Sequence, residues 1–107
     1  MRYLFEVSSR AVAGREAEYE AWYDQTHVHE VLALPGFLSC ERFERSAPDG
    51  SVQEFVAIYE VETDDPQALL HSLFAAAPTM KMTDAINQTS ARFDVLRPLG
   101  QKVSAKN

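Results

Sequence analysis

The sequence predicts one α+β domain with the βαββαβ order of ferredoxin-like folds, an antiparallel four-stranded sheet carrying both helices on one face. A succession of local signals predicts it. The chain opens with period-two alternation, and a glutamate-opened helical stretch then ends at Pro35-Gly36. Two extended runs next flank Pro48-Asp49-Gly50, and Asp65-Pro66 opens another helix before a last alternating segment.

From Arg2 to Ser9, Tyr3, Phe5 and Val7 alternate with Arg2, Leu4, Glu6 and Ser8, which reads as a strand. Glu16, Glu18 and Glu20 cluster where a helix starts and stabilise its positive end. That helix runs to about Leu34, where Pro35-Gly36 stops it. Phe37 to Arg45 and Gln53 to Val61 form a hairpin across a turn of Pro, Asp and Gly chemistry. Asp65 caps a helix with Pro66 in its first position, followed by Gln67 to Ala76. Thr79 to Ser90 is expected as a short helix or ordered loop, and Phe93 to Leu96 as the last strand. Residues 1–100 form the domain, and 101–107 a tail that frays or grips a partner.

A chain of 107 residues with 46% hydrophobic content and no low-complexity tract reads as a compact globule with little core to spare for a roomy pocket. Its formal charge of −6 argues against nucleic acid and against anionic membrane surfaces. Cys40 is the lone cysteine and cannot form an internal disulfide, and the N-terminus has no long apolar run, so the reading is cytoplasmic. Nothing beside Cys40 favours its thiolate, so it reads as an inert thiol. In the hairpin, Phe37 and Phe43 are expected on one face and Leu38 and Cys40 on the other. A sheet apolar on both faces needs a second cover, which predicts a homodimer packed sheet to sheet.

The informative stretch is Tyr19-Glu20-Ala21-Trp22-Tyr23-Asp24-Gln25-Thr26-His27-Val28-His29-Glu30. At 100° per residue, Ala17, Ala21, Val28 and Leu32 form one apolar stripe and Tyr19, Trp22, Tyr23, Thr26, Glu30 and Leu34 a second, with His27 at its edge. Asp24 and Glu30 lie three residues to either side of His27. A carboxylate at that spacing can fix the imidazole tautomer and favour its protonated form, as a general acid or base requires. The plainer alternative is an ion pair that braces the helix. His27 and His29 are wrongly separated to share a metal on a regular helix, and no metal site is expected. His71 is expected to be exposed or a packing residue.

The segment Trp22-Tyr23-Asp24-Gln25-Thr26-His27, continuing through Glu30-Val31-Leu32 to Pro35-Gly36-Phe37, resembles the EthD-like branch of the dimeric α+β barrel superfamily. The resemblance implies a homodimer whose sheets face each other as a barrel, with a small cleft in each subunit between sheet and helices. It maps the family's helix histidine to His27 and its acidic neighbour to Asp24. Tyr23 joins these as a catalytic candidate; Trp22, Glu30 and Tyr59 are substrate-binding candidates.

Since one fold hosts many reactions, two classes of function compete. In the first, the cleft is the active site of a cofactor-independent lyase, isomerase or cyclase. His27 moves a proton, Asp24 orients it, Tyr23 or Tyr59 donates to an oxyanion, and the substrate is hydrophobic, phenolic or polyketide-like. A cofactor-free monooxygenase is an alternative within that class, and a haem held by one histidine stays open. In the second class the chain is a non-catalytic dimer that binds a small molecule or a partner protein.

Overall fold

The computed structural model describes residues 1–106 of the chain. Strand β1 (Arg2–Ala11) is followed by helix α1 (Glu16–Trp22), a π turn (Tyr23–His27) and helix α2 (Val28–Leu32). The hairpin strands β2 (Phe37–Ser46) and β3 (Val52–Glu62) come next, then helix α3 (Pro66–Ala76), a 3₁₀ turn (Ala77–Thr79) and strand β4 (Ile86–Leu96). The four strands form one sheet in the order β2-β3-β1-β4, antiparallel at every pairing. This is the ferredoxin-like α+β arrangement that the element order predicts.

The core lies between one sheet face and the helices. Phe5 of β1 and Phe55, Ala57, Tyr59 and Val61 of β3 alternate onto that face, where Tyr19, Tyr23, Val31 and Leu73 cover them. Tyr19 stacks on Phe55 with centroids 4.8 Å apart, and its hydroxyl shares a 2.5 Å hydrogen bond with Ser9. The phenol's polar end is thereby satisfied inside the core. Of the first apolar stripe read from the sequence, Ala17 and Ala21 are exposed, whereas Val28 and Leu32 are half-buried against the core.

Local chemistry sets the element ends. Asp65 Oδ1 accepts the Ala68 N–H at 3.0 Å and Pro66 takes the first helical position. Gly36 has φ +90°, and a Cβ there would lie 3.2 Å from both the Glu62 carbonyl oxygen and a Leu69 methyl. Glycine is required at this exit both for its backbone conformation and for the close approach of β3.

Two details of the sheet differ from the sequence reading. A β-bulge between Phe37 and Ser39 leaves Leu38 unpaired, so that Phe37 faces Val61 and Cys40 faces Tyr59 on the helix side. Phe43 is thereby turned to the open face, opposite Val56, instead of sharing a face with Phe37. Strand β4 begins at Ile86, well before Phe93. Its exposed residues Asn87, Gln88 and Thr89 give no period-two signal, because an edge strand can be held by backbone pairing to β1 alone.

The open face mixes apolar and ionic groups. Ile58, Leu4, Phe43 and Leu96 alternate onto it, and Val56 is buried there. Glu54, 6% exposed, accepts from Arg45 Nε and from Arg92 at 2.7 Å each, and Arg45 also reaches Glu6 at 3.2 Å. No helix among the described residues is long and apolar enough to cross a membrane. Residues 97–106 form no helix or strand, and 101–106 are exposed; Asn107, the end of the expected tail, lies outside the described residues.

Candidate active site

The π turn creates the site. In a regular α-helix, residues five apart point about 140° away from each other. Here the Val28 N–H donates to the Tyr23 carbonyl, a five-residue reach that widens the turn and lays residues 22 and 27 over one another. The Trp22 and His27 rings consequently stack, with centroids 4.5 Å apart and an 18° tilt. Tyr23 meets the same imidazole edge to face at 5.0 Å. His27 is thus held on two sides by aromatic rings.

Its nitrogens have different surroundings. Nδ1 is buried and points toward Glu30 Oε1, 3.7 Å away. Both atoms are without a hydrogen-bond partner, and closing a few tenths of an ångström would satisfy both. Since a carboxylate can only accept, this neighbour selects the Nδ1–H tautomer and leaves a lone pair on Nε2. His27 also lines a cavity of about 150 Å³, and Nε2 is the nitrogen free to face it. Burial lowers the His27 pKa, and the opposing effect of Glu30 does not reverse this. The sequence reading expected flanking carboxylates to favour the imidazolium; desolvation wins instead, and the ring is neutral near pH 7.

The cavity walls are almost wholly apolar. Val7 and Phe93 of the sheet, Val31 and Leu73 of the helices, and Met80 and Met82 of the following loop enclose it. A void of this size takes roughly one benzene-sized ring. Its polar atoms come from Ser9, whose hydroxyl is already bonded to Tyr19, and from His27, Gln88, Tyr23 and Tyr59.

Tyr23 and Tyr59 share a hydroxyl–hydroxyl bond of 2.7 Å. Burial pushes both phenols far above their ordinary range, and the Tyr59 hydroxyl contacts the Cys40 thiol, itself pushed up by burial. Both phenols therefore remain protonated. Only one proton is consumed between the two phenols; the second can be donated to the Cys40 thiol or to a ligand oxygen.

The structure brings His27, Trp22, Tyr23, Glu30 and Tyr59 together, and it places Asp24 elsewhere. The Asp24 carboxylate is exposed and accepts from Arg42 at 2.7 Å. Arg42 also pairs with Glu20 and stands 4.5 Å above the Tyr23 ring centroid. The group beside the imidazole is Glu30, not Asp24. Met80, Met82, Gln88 and Phe93 belong to the site as well. The run Met80-Lys81-Met82 is the one hint of this in the sequence, two flexible apolar side chains in a polar loop. Among the described residues no group of three or more His, Cys, Asp or Glu side chains is placed to hold a metal ion, and His71 is exposed.

No family model matches the sequence, and no curated protein matches it. Among solved structures, the chain is similar to a proposed monooxygenase from Shewanella loihica PV-4, with 14% sequence identity and a TM-score of 0.59. The likeness covers 94% of this chain and 99% of that one. At this identity it shows the shared small α+β fold alone.

Proposed function

We propose that the protein is a cofactor-independent enzyme that begins its reaction by removing a proton from a small, hydrophobic, single-ring substrate, phenolic or polyketide-like. The observation that carries this is a neutral histidine backed by a carboxylate at Nδ1 on the wall of a ring-sized apolar cavity. Nε2 accepts the proton, and the imidazolium that forms is stabilised by Glu30. The Tyr23–Tyr59 pair donates to the oxygen on which negative charge develops. Return of the proton to another atom gives isomerisation or cyclisation, and loss of a leaving group gives a lyase. The EthD-like pattern of the Trp22 to Phe37 segment supports the same placement of the histidine.

A second reading is favoured by the name of the structurally similar protein: the deprotonated, electron-rich substrate reacts with dioxygen in a monooxygenase reaction. Incubating wild type and His27→Gln with a panel of phenols and β-keto acids, with product analysis and an oxygen electrode, tests both readings. Turnover without oxygen uptake supports the first reading, and stoichiometric uptake supports the second. Equal behaviour of wild type and variant with every compound overturns both.

We also propose that two copies associate through the open sheet face, where Phe43, 46% exposed, and Leu96, 41% exposed, lie with Ile58 beside the Glu54 ion-pair network. Sedimentation velocity should give a dimer for wild type and a monomer for Phe43→Glu; a monomeric wild type refutes the association.

A further inference from the structure

Resting on the reading of His27 as the base, we propose that the main chain of Lys81 is a positioning element of the site, and that docking of the 80–82 segment over the cavity sets which nitrogen of His27 carries the proton. Both polar groups of this residue's main chain are engaged. The Lys81 N–H donates to Glu30 Oε2 at 2.8 Å, and its carbonyl accepts from Trp22 Nε1 at 2.7 Å. These are the two side chains that define His27: Trp22 stacks on its face, and Glu30 presents its other oxygen to Nδ1. The flanking side chains of Met80 and Met82 form part of the cavity wall.

The consequences are geometric. With Oε2 held by the Lys81 N–H, Oε1 is aimed at Nδ1, where it can only accept. Nδ1 then carries hydrogen and Nε2 is bare toward the cavity. Lifting the segment would remove two methionine walls, the anchor of Glu30 and the anchor of Trp22 together. Closure around a ligand and preparation of the base are therefore one event, while the exposed Lys81 side chain plays no part in it.

Imidazole ¹⁵N–¹H correlation spectra of the free protein, recorded above the His27 titration, test this without substrate. Wild type should show the Nδ1–H tautomer. In Glu30→Gln, the amide oxygen stays with the Lys81 N–H and the NH₂ group faces Nδ1 as a donor, so the spectrum should invert to Nε2–H. Adding Lys81→Pro deletes that N–H, and Met80 already has the extended backbone that a residue before proline requires (φ −84°, ψ 151°). The freed amide can flip, so the double variant should recover mainly Nδ1–H. Lys81→Ala keeps the N–H and should match wild type. Should the proline variants fail to fold, Glu30→Ala provides the second readout, with amide exchange at Lys81 rising at least tenfold. A Glu30→Gln protein that stays Nδ1–H, or a Lys81 amide indifferent to Glu30→Ala, overturns the positioning role even where ligands bind. An inverted tautomer in a protein that responds to no ligand supports the positioning role and counts against the base reading alone.

Discussion

Replacing Tyr59 by Phe removes one hydroxyl and strands another. Tyr23 is 4% exposed, and its hydroxyl loses the 2.7 Å partner that it has in Tyr59. A lost hydrogen bond plus an unpaired buried donor costs about 1–3 kcal/mol, so about 2 kcal/mol is expected for Tyr59→Phe. Tyr23→Phe leaves the Tyr59 hydroxyl with only a weak thiol partner and should also cost about 2 kcal/mol. Replacing both removes the pair without an orphan, and apolar groups of the same shape are then nearly neutral. The double variant should lose less than about 2 kcal/mol where additivity demands about 4, a coupling within the range for residues in contact. Urea denaturation at one fixed protein concentration measures this, because association would make stability depend on concentration. In thermal scans each single variant should melt about 10 °C lower. Additive losses, with the double variant near 4 kcal/mol, would refute the claim that the two phenols satisfy each other.

Gly36→Ala should cost about 2 kcal/mol, from the positive φ and the squeezed approach to Glu62 and Leu69, and clearly more than Gly50→Ala, whose Cβ meets open space; equal losses in urea melts would contradict the packing argument. Asp65→Ala should cost about 1 kcal/mol through loss of the cap to Ala68, and an unchanged melting temperature would mean that the cap does not stabilise the helix. Because the folded His27 pKa lies below its ordinary 6.5, the unfolded chain binds protons first as pH falls. The contribution of neutral His27 to stability is present above about pH 6.5 and is lost as pH falls through the lowered native value. Between pH 7.5 and pH 5, wild type should therefore lose more stability than His27→Gln; parallel pH profiles would refute burial of a neutral imidazole.

Much of the fold was legible because its signals are local. Alternation along β1 and β3, the Pro35-Gly36 stop and the Asp65-Pro66 start each rest on the chemistry of neighbouring residues, and the structure has all of them. What was not legible depends on long-range pairing or on an inserted residue. The bulge at Leu38 inverts the faces assigned to Phe43 and Cys40, and no residue at that point announces it. Edge strand β4 starts in polar residues that only its pairing with β1 explains.

The site shows the same division. His27 with aromatic neighbours was readable from the Trp22 to Glu30 stretch, but Asp24 and Glu30 stand at equal spacing from it, and a uniform 100° helix cannot choose between them. The choice is made by Arg42, which draws Asp24 outward, and by the Lys81 N–H, which holds Glu30 inward. Both partners are remote in sequence, as are the cavity walls at Met80, Met82 and Phe93.

A pH titration of the His27 imidazole by ¹⁵N NMR, with and without saturating phenol, measures whether His27 presents an unprotonated Nε2 to the ring-sized cavity. The expected result is a midpoint below the ordinary 6.5, Nδ1–H in the neutral form, and a displaced midpoint and Nε2 shift when phenol binds. A midpoint at or above 6.5 that is indifferent to the ligand would contradict it and leave His27 as a structural brace.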